Sequence, residues 1–327
     1  MDRFFLFDTG TNAPSLLPYG QHDPMLVALS VCLAIFASTM ALHATEQARA
    51  LTSSRLRSLT LVAGSLALGC GVWGMHFIGM LAYQLCTTVD YDTALTIASV
   101  LPSVGASWVA LKLLSQDEVS HAQRVGAGVL MGAGIGAMHY TGMAAMQMSA
   151  VLRYDPWGFA LSIVVAEALA VLALWVRHGL AVRLPQHSGW PHTVLTGCVM
   201  GMAISGMHYT GMAAARYVGN PTQEFDVPAN NHLPLALGIA LVTVVASVLV
   251  GAAVGLARYR QVLARMESKE ARLRAITDTS SDGIIVFDEQ GIVHKFNPSA
   301  ERIFGVPAAQ MLGHSVTQVM VDRKSVV

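Results

Sequence analysis

The chain has 327 residues, of which 54% are apolar and only 12% charged, and its mean hydropathy is +0.51. A soluble domain carries about 25% charged residues, so this composition excludes a soluble enzyme built around one core. Lys and Arg (20) balance Asp and Glu (20), which gives no electrostatic reason for a nucleic-acid partner.

Residues 1–23 contain Gly, Pro and acids rather than a basic start and an apolar core, so they do not read as a cleavable signal peptide. They are expected to form an extracytoplasmic segment. Seven apolar stretches follow, near 24–44, 58–84, 94–114, 124–149, 157–176, 193–215 and 234–257. Each is long enough for the ~30 Å of hydrocarbon that takes ~20 helical residues. Arg49, Arg55, Arg57, Lys112, Arg124, Arg177, Arg183, Arg258, Arg260 and Arg265 fall on one side of these spans. Only Arg3, Arg153 and Arg216 fall on the other. By the positive-inside rule the N-terminus is outside and the C-terminus cytoplasmic. The four cysteines form no C-x-x-C pair, so neither a disulfide framework nor a zinc ribbon is indicated.

One pattern occurs three times, on spans two, four and six. It reads Gly74-Met75-His76-Phe77-Ile78-Gly79-Met80-Leu81-Ala82, then Ala137-Met138-His139-Tyr140-Thr141-Gly142-Met143-Ala144-Ala145. The third copy is Gly206-Met207-His208-Tyr209-Thr210-Gly211-Met212-Ala213-Ala214. The histidines are 63 and 69 residues apart, the length of two spanning helices with their loops, so the repeat unit is a helix pair. His76 and Met80 share a helical face, as do His139 with Met143 and His208 with Met212. Met75, Met138 and Met207 flank the same positions. Imidazole with thioether is a ligand set suited to copper, Cu(I) above all. Against this stands a plain packing role for methionine and a hydrogen-bonding role for histidine. Ionisable residues are nevertheless costly in hydrocarbon, which makes three at one depth a functional candidate. Glycines crowd these same spans and would let neighbouring backbones approach closely, placing the motif helices inside the bundle.

Other candidates are fewer. Glu167 is the one charged residue well inside a span; it is expected to be protonated or paired, in a functional or a bridging role. His43 reads as interfacial, Asp90 and Asp92 as solvated loop acids, and His178, His187 and His192 as solvated in or beside a cytoplasmic loop. Past the last span, residues 258–275 read as a charged linker helix. Gly283–Asp288 and Ile292–Phe296 read as strands around a Glu289-Gln290-Gly291 turn, followed by a short helix from Asn297 to Gly305.

The motif triplet resembles the bacterial MHYT sensor domain, whose signature the second and third copies spell. The resemblance covers about 24–257; the first copy departs from it, with Phe77 and Ile78 in place of Tyr and Thr. It implies a seven-helix sensory module proposed to bind copper and to sense oxygen, carbon monoxide or nitric oxide. The tail resembles the first half of a PAS domain over 270–320. With one hairpin it is expected to be poorly ordered alone, and the chain to be a fragment or a truncated gene product. The expected architecture is thus an all-α polytopic membrane protein, three two-helix repeats plus one helix, followed by an incomplete α+β PAS segment at 276–327. The expected function is signal input at a bacterial inner membrane, in the lipid bilayer, with copper at His76, His139, His208, Met75, Met80, Met138, Met143, Met207 and Met212. A diatomic gas is the expected ligand, a homodimer through linker and PAS segment an expected assembly, and a cyclic-di-GMP module the expected output. No catalysis is expected of this chain itself. The alternative is a copper or proton transporter using the His/Met layer and Glu167.

Overall fold

The computed structural model describes residues 6–7, 21–85, 89–116, 119–183, 190–218 and 233–319; the side chains of 177–183 lie outside that description, as does His187. The chain divides into two compact units, Met1–Leu256 and Ala257–Val327.

The first unit is a helical bundle. Its helices are α1 (Pro24–Ala50), α2 (Ser54–Ala82), α3 (Thr93–Ala98), α4 (Val100–Leu114), α5 (His121–Ala144), α6 (Pro156–Arg183), α7 (Trp190–Ala214) and the start of α8 (Leu233–Thr279). The third expected span is therefore two helices meeting at Ser99. Pro102 lies in the first turn of α4, where a missing amide costs little. The seventh span and the expected linker helix are one 47-residue helix, α8.

Six short strands sit at the end of the bundle where the motif helices finish: β1 (Gln21–His22), β2 (Tyr83–Gln84), β3 (Asp90–Tyr91), β4 (Met146–Gln147), β5 (Val151–Tyr154) and β6 (Ala215–Val218). They pair antiparallel as β1 with β2, β3 with β4 and β5 with β6. Each pair joins the strand before one helix pair to the strand after its motif helix, so the fold repeats three times. The junctions are built alike. Asp23 accepts hydrogen bonds from the amides of Met25 and Leu26 (2.8 and 3.2 Å), Asp92 from Leu95 (2.8 Å) and Asp155 from Gly158 (2.6 Å). These are N-caps of α1, α3 and α6, which satisfy amides that a helix start leaves open. The same three residues donate their own amides to carbonyls at the ends of the motif helices, Ala82 (2.8 Å), Ala145 (2.8 Å) and Ala214 (2.9 Å). Asp92 is thus a helix cap and not the solvated loop acid that its sequence context suggests.

Around the bundle, α1 packs on α2 and α7, α2 on α4, α4 on α5, α5 on α6, and α6 on α7. The ring closes, and α2, α5 and α7 also touch one another. Outside it, Ala236 and Ala240 of α8 pack with Leu26 and Leu33 of α1 and Ile78 and Leu81 of α2. The most apolar stretch of α2 is 72% buried and that of α8 only 22%, which places the motif helix inside and α8 at the edge. Glycine permits the tight crossings. A Cβ on Gly69, Gly132 or Gly201 would stand 2.6–2.7 Å from the Cα of Val104, Glu167 or Ile35 on the neighbouring outer helix.

Five helical stretches among the described residues are long and apolar enough to cross a membrane: Pro24–Ala50, Ser54–Ala82, Thr93–Leu114, Pro156–Val176 and Leu233–Thr279. Helices α5 and α7 are not among them. Their glycines, threonines and motif histidines lower their hydropathy, and α1, α4 and α6 flank them in the ring.

In the second unit, β7 (Ile285–Phe287) and β8 (Val293–Phe296) form an antiparallel hairpin. Gly291 makes the turn at φ 81°. The amide of Ile292 (2.8 Å), with His294 (2.9 Å) and the amide of Gln290 (3.1 Å), holds the Asp288 carboxyl below its ordinary pKa. Helix α9 (Pro298–Phe304) ends at Gly305 in the left-handed region, and α10 (Ala308–Met311) and a 3-10 turn at Val316–Gln318 follow. Val293, Phe296, Ala300, Met311 and Val316 form a small core, contrary to the expectation of a poorly ordered tail. The tie is Asn297, 1% exposed. It accepts from the amides of Ile284 and Ala300 (both 2.8 Å) and donates to the carbonyls of Thr277 (2.7 Å) and Asp282 (3.0 Å). A hairpin otherwise too small to hold itself gains four anchors from one buried amide.

Candidate metal centre

The three motif histidines converge. His76, His139 and His208 are 0%, 0% and 1% exposed, and one ligand atom from each lies within 4.8 Å of the others. Their Nδ1 atoms form a nearly equilateral triangle, with 3.1 Å between His76 and His208, 3.1 Å between His139 and His76, and 3.3 Å between His208 and His139. A ring nitrogen is either a donor or an acceptor, so in any assignment two of the three present the same polarity to each other. Hydrogen bonding alone leaves this triangle frustrated. A cation that takes three lone pairs relieves it. A point equidistant from the three nitrogens lies roughly 1.8 Å from each, close to the ~2.0 Å of a metal–imidazole bond. The donor set and its spacing fit a metal ion.

The other edge of each ring is held by glycine. A Cβ on Gly142 would stand 2.3 Å from Nε2 of His76, one on Gly211 2.4 Å from Nε2 of His139, and one on Gly79 2.3 Å from Nε2 of His208. Each histidine therefore plugs into the glycine slot of the next motif helix, α2 into α5, α5 into α7, and α7 into α2. Among the described residues, the Nε2 atoms of His76 and His139 are buried without a hydrogen-bond partner. Glycine three residues after each histidine is readable in the sequence. Which histidine it receives is not, because the partner stands on another helix.

All six flanking methionines are buried, Met75, Met80, Met138, Met143, Met207 and Met212 each at 4% exposure or less. Met207 lines an apolar cavity with Met131 and Met200, and its methyl lies 3.7 Å from the Cβ position of Gly136. The hydroxyls that give the second and third motifs their signature point elsewhere. Tyr140 bonds Ser162 (2.5 Å) and Tyr209 bonds Ser30 (2.7 Å), each on an outer helix. Thr141 and Thr210 donate to carbonyls one turn back on their own helices, Ala137 and Gly206 (both 2.6 Å). In the first repeat the equivalent serine, Ser99, receives the indole N–H of Trp73 instead (3.1 Å), which compensates for Phe77.

Glu167 is not brought to the triad. It is half-buried where α6 crosses Gly132, with no hydrogen bond or ion pair among the described residues. His43 is half-buried, bonded to Gln47 (3.2 Å) and edge-on to Trp190. Residues missed by the sequence reading form the cap above the triad. His22, Tyr91 and Tyr154 each precede a capping aspartate, and the aspartates recur 69 and 63 residues apart. That spacing mirrors the motif and was the available signal.

Comparison with known proteins finds matches over parts of the chain. A family described as the bacterial signalling protein N-terminal repeat, MHYT, matches residues 69–127 and 132–193. The chain carries MHYT repeats. The matched stretches take in the motifs at His76 and His139; the third motif, at His208, lies beyond them. A PAS domain matches residues 271–324. The chain is 43% identical over 198 residues to the bifunctional diguanylate cyclase/cyclic di-GMP phosphodiesterase MucR of Pseudomonas aeruginosa, covering 60% of this chain and 28% of that one. It is 33% identical over 196 residues to the signaling protein YkoW of Bacillus subtilis, covering 60% and 24%. To the cyclic di-GMP phosphodiesterase NbdA of Pseudomonas aeruginosa it is 35% identical over 194 residues, covering 59% and 24%. The chain thus spans about a quarter of the length of these curated relatives. No solved structure matches it. The MHYT repeats and the PAS match, with relatives named for cyclic di-GMP signalling, support a sensory signalling role.

Proposed function

We propose that this chain is the input part of a bacterial inner-membrane signalling protein in which His76, His139 and His208 hold a copper ion. The observation that carries this reading is the buried triangle of three Nδ1 atoms, which is frustrated without a cation. Copper, when bound, supplies a position at which oxygen, carbon monoxide or nitric oxide can add. The chain's own residues do the rest. Three imidazoles from three helices make the spacing of α2, α5 and α7 depend on what the triad holds. Glycine slots fix the far edge of each ring, and burial of the three histidines keeps water from them. Met75, Met80, Met138, Met143, Met207 and Met212, buried beside the histidines in sequence, would supply soft donors.

Seven spans cross the membrane in this reading, α3 and α4 together making one and α5 and α7 sheltered by the others, with the strand-capped end outside and α8 leading into the cytoplasm. A shift in the inner helices passes to α8 and then to the PAS segment. Exposed Leu256, Tyr259, Leu263, Met266 and Leu273 recur on α8 at alternating three- and four-residue spacing broken at position 270, which suits pairing with a second copy. Cyclic-di-GMP synthesis or breakdown would belong to an output module such as the names of the relatives suggest.

Metal analysis of the full chain purified in detergent tests the site. About one copper per chain is expected, lost when His76, His139 and His208 are all replaced by Ala. Copper content unchanged in that variant would overturn the assignment.

A further inference from the structure

Three lines of aromatic rings lead from the capped end to the triad, one per repeat. Tyr91 contacts Phe77 (centroids 5.6 Å apart), which contacts His76 (5.2 Å). Tyr154 contacts Tyr140 (5.3 Å), which contacts His139 (4.9 Å). His22 contacts Tyr209 (5.7 Å), which contacts His208 (4.8 Å). The three heads, Tyr91, Tyr154 and His22, occupy equivalent places, each directly before a capping aspartate. They are not equivalent in chemistry. Tyr154 is 2% exposed and further covered by Phe7, which bridges it and packs edge-on to Phe159 (5.5 Å). Tyr91 is half-buried. His22 is exposed, and Tyr209 beneath it is half-buried, whereas Phe77 and Tyr140 are buried at 5%.

So two of the three sectors are headed by a phenol, a poor ligand when neutral, and the third by an imidazole, a good one. Met25, 67% exposed, follows His22 by three residues and adds a thioether at the same surface. His22 packs against Tyr83 and Tyr209, with centroids 4.8 and 5.7 Å away.

We propose that the His22 sector is the path by which copper reaches the triad. His22 takes up the ion at the capped surface, with Met25 as a second soft donor, and the ion passes beside Tyr209 to His208. Tyr91 and Tyr154 close the other two sectors. This inference rests on the copper reading above.

The test is the rate of Cu(I) uptake by the full chain in detergent, followed by competition with a coloured chelator, together with final stoichiometry. His22→Tyr installs the residue that the other two repeats carry, so the fold has room for it. Uptake is expected to slow by about tenfold or more, with the same copper content at the end. Adding Tyr91→His to that variant opens a second sector and should restore the rate. Should His22→Tyr not fold, Tyr91→His in the unaltered chain is expected to raise the rate. Uptake by His22→Tyr at the wild-type rate, with stoichiometry intact, would overturn the access path alone, as would Tyr91→His without effect on rate. Wild-type chain that takes up no copper would overturn the metal site and this path with it.

Discussion

Two layers of the same threefold bundle behave differently. In the histidine layer the repeats are identical: His76, His139 and His208 meet at Nδ1, and Gly142, Gly211 and Gly79 receive their other edges. One layer toward the strands they diverge, with Phe77 against Tyr140 and Tyr209, and His22 against Tyr91 and Tyr154. Where three side chains share one point, no copy can change without disturbing the other two. Where each copy bonds the outer helix of the next repeat, a substitution can be absorbed locally, as Trp73 absorbs the loss of a hydroxyl at Phe77 by bonding Ser99.

The comparison can be broken most forcefully at a glycine slot. Gly142→Ala places a methyl 2.3 Å from Nε2 of His76. It should cost about 1–3 kcal/mol of stability, as overpacking does, and abolish copper retention. A variant that melts and binds copper as the wild type does would show that the interlock is incidental. A smaller effect is expected in the outer layer. Tyr140→Phe removes the bond to Ser162, at a cost of about 1 kcal/mol, with copper content unchanged, since the first repeat already works with phenylalanine. Loss of copper in this variant would place the hydroxyl at the site rather than in the packing. The smallest effect is expected from Gly126→Ala, where an added Cβ meets nothing within 4 Å. Thermal melting should shift by the equivalent of about 1 kcal/mol or less, upward, because alanine favours the helix.

Much of this was legible in the sequence, and the reasons differ by scale. The helix pairs and the motif spacing follow from apolar runs and a repeated nonapeptide, both of which are local signals. The glycines announced close helix approach, and Gly69, Gly132 and Gly201 make it. The strands β1 to β4 are two residues long, too short for an alternating pattern to be read, so the cap layer went unseen although Asp23, Asp92 and Asp155 marked it. Methionine four residues after each histidine drew attention as a ligand, while glycine three residues after proved to be the contact made between helices. Cross-helix pairings of that kind carry no sequence spacing at all. Glu167 stood out for its charge, which says where a residue is unusual and not what it meets.

The most direct measurement is X-ray absorption at the copper edge on the loaded full chain. The expected spectrum has a first shell of about three nitrogens near 2.0 Å with the outer scattering of imidazole rings, diminished in each single His→Ala variant at 76, 139 or 208. A first shell made of sulfur, with no imidazole signature and no response to those substitutions, would contradict a copper site at the histidine triangle.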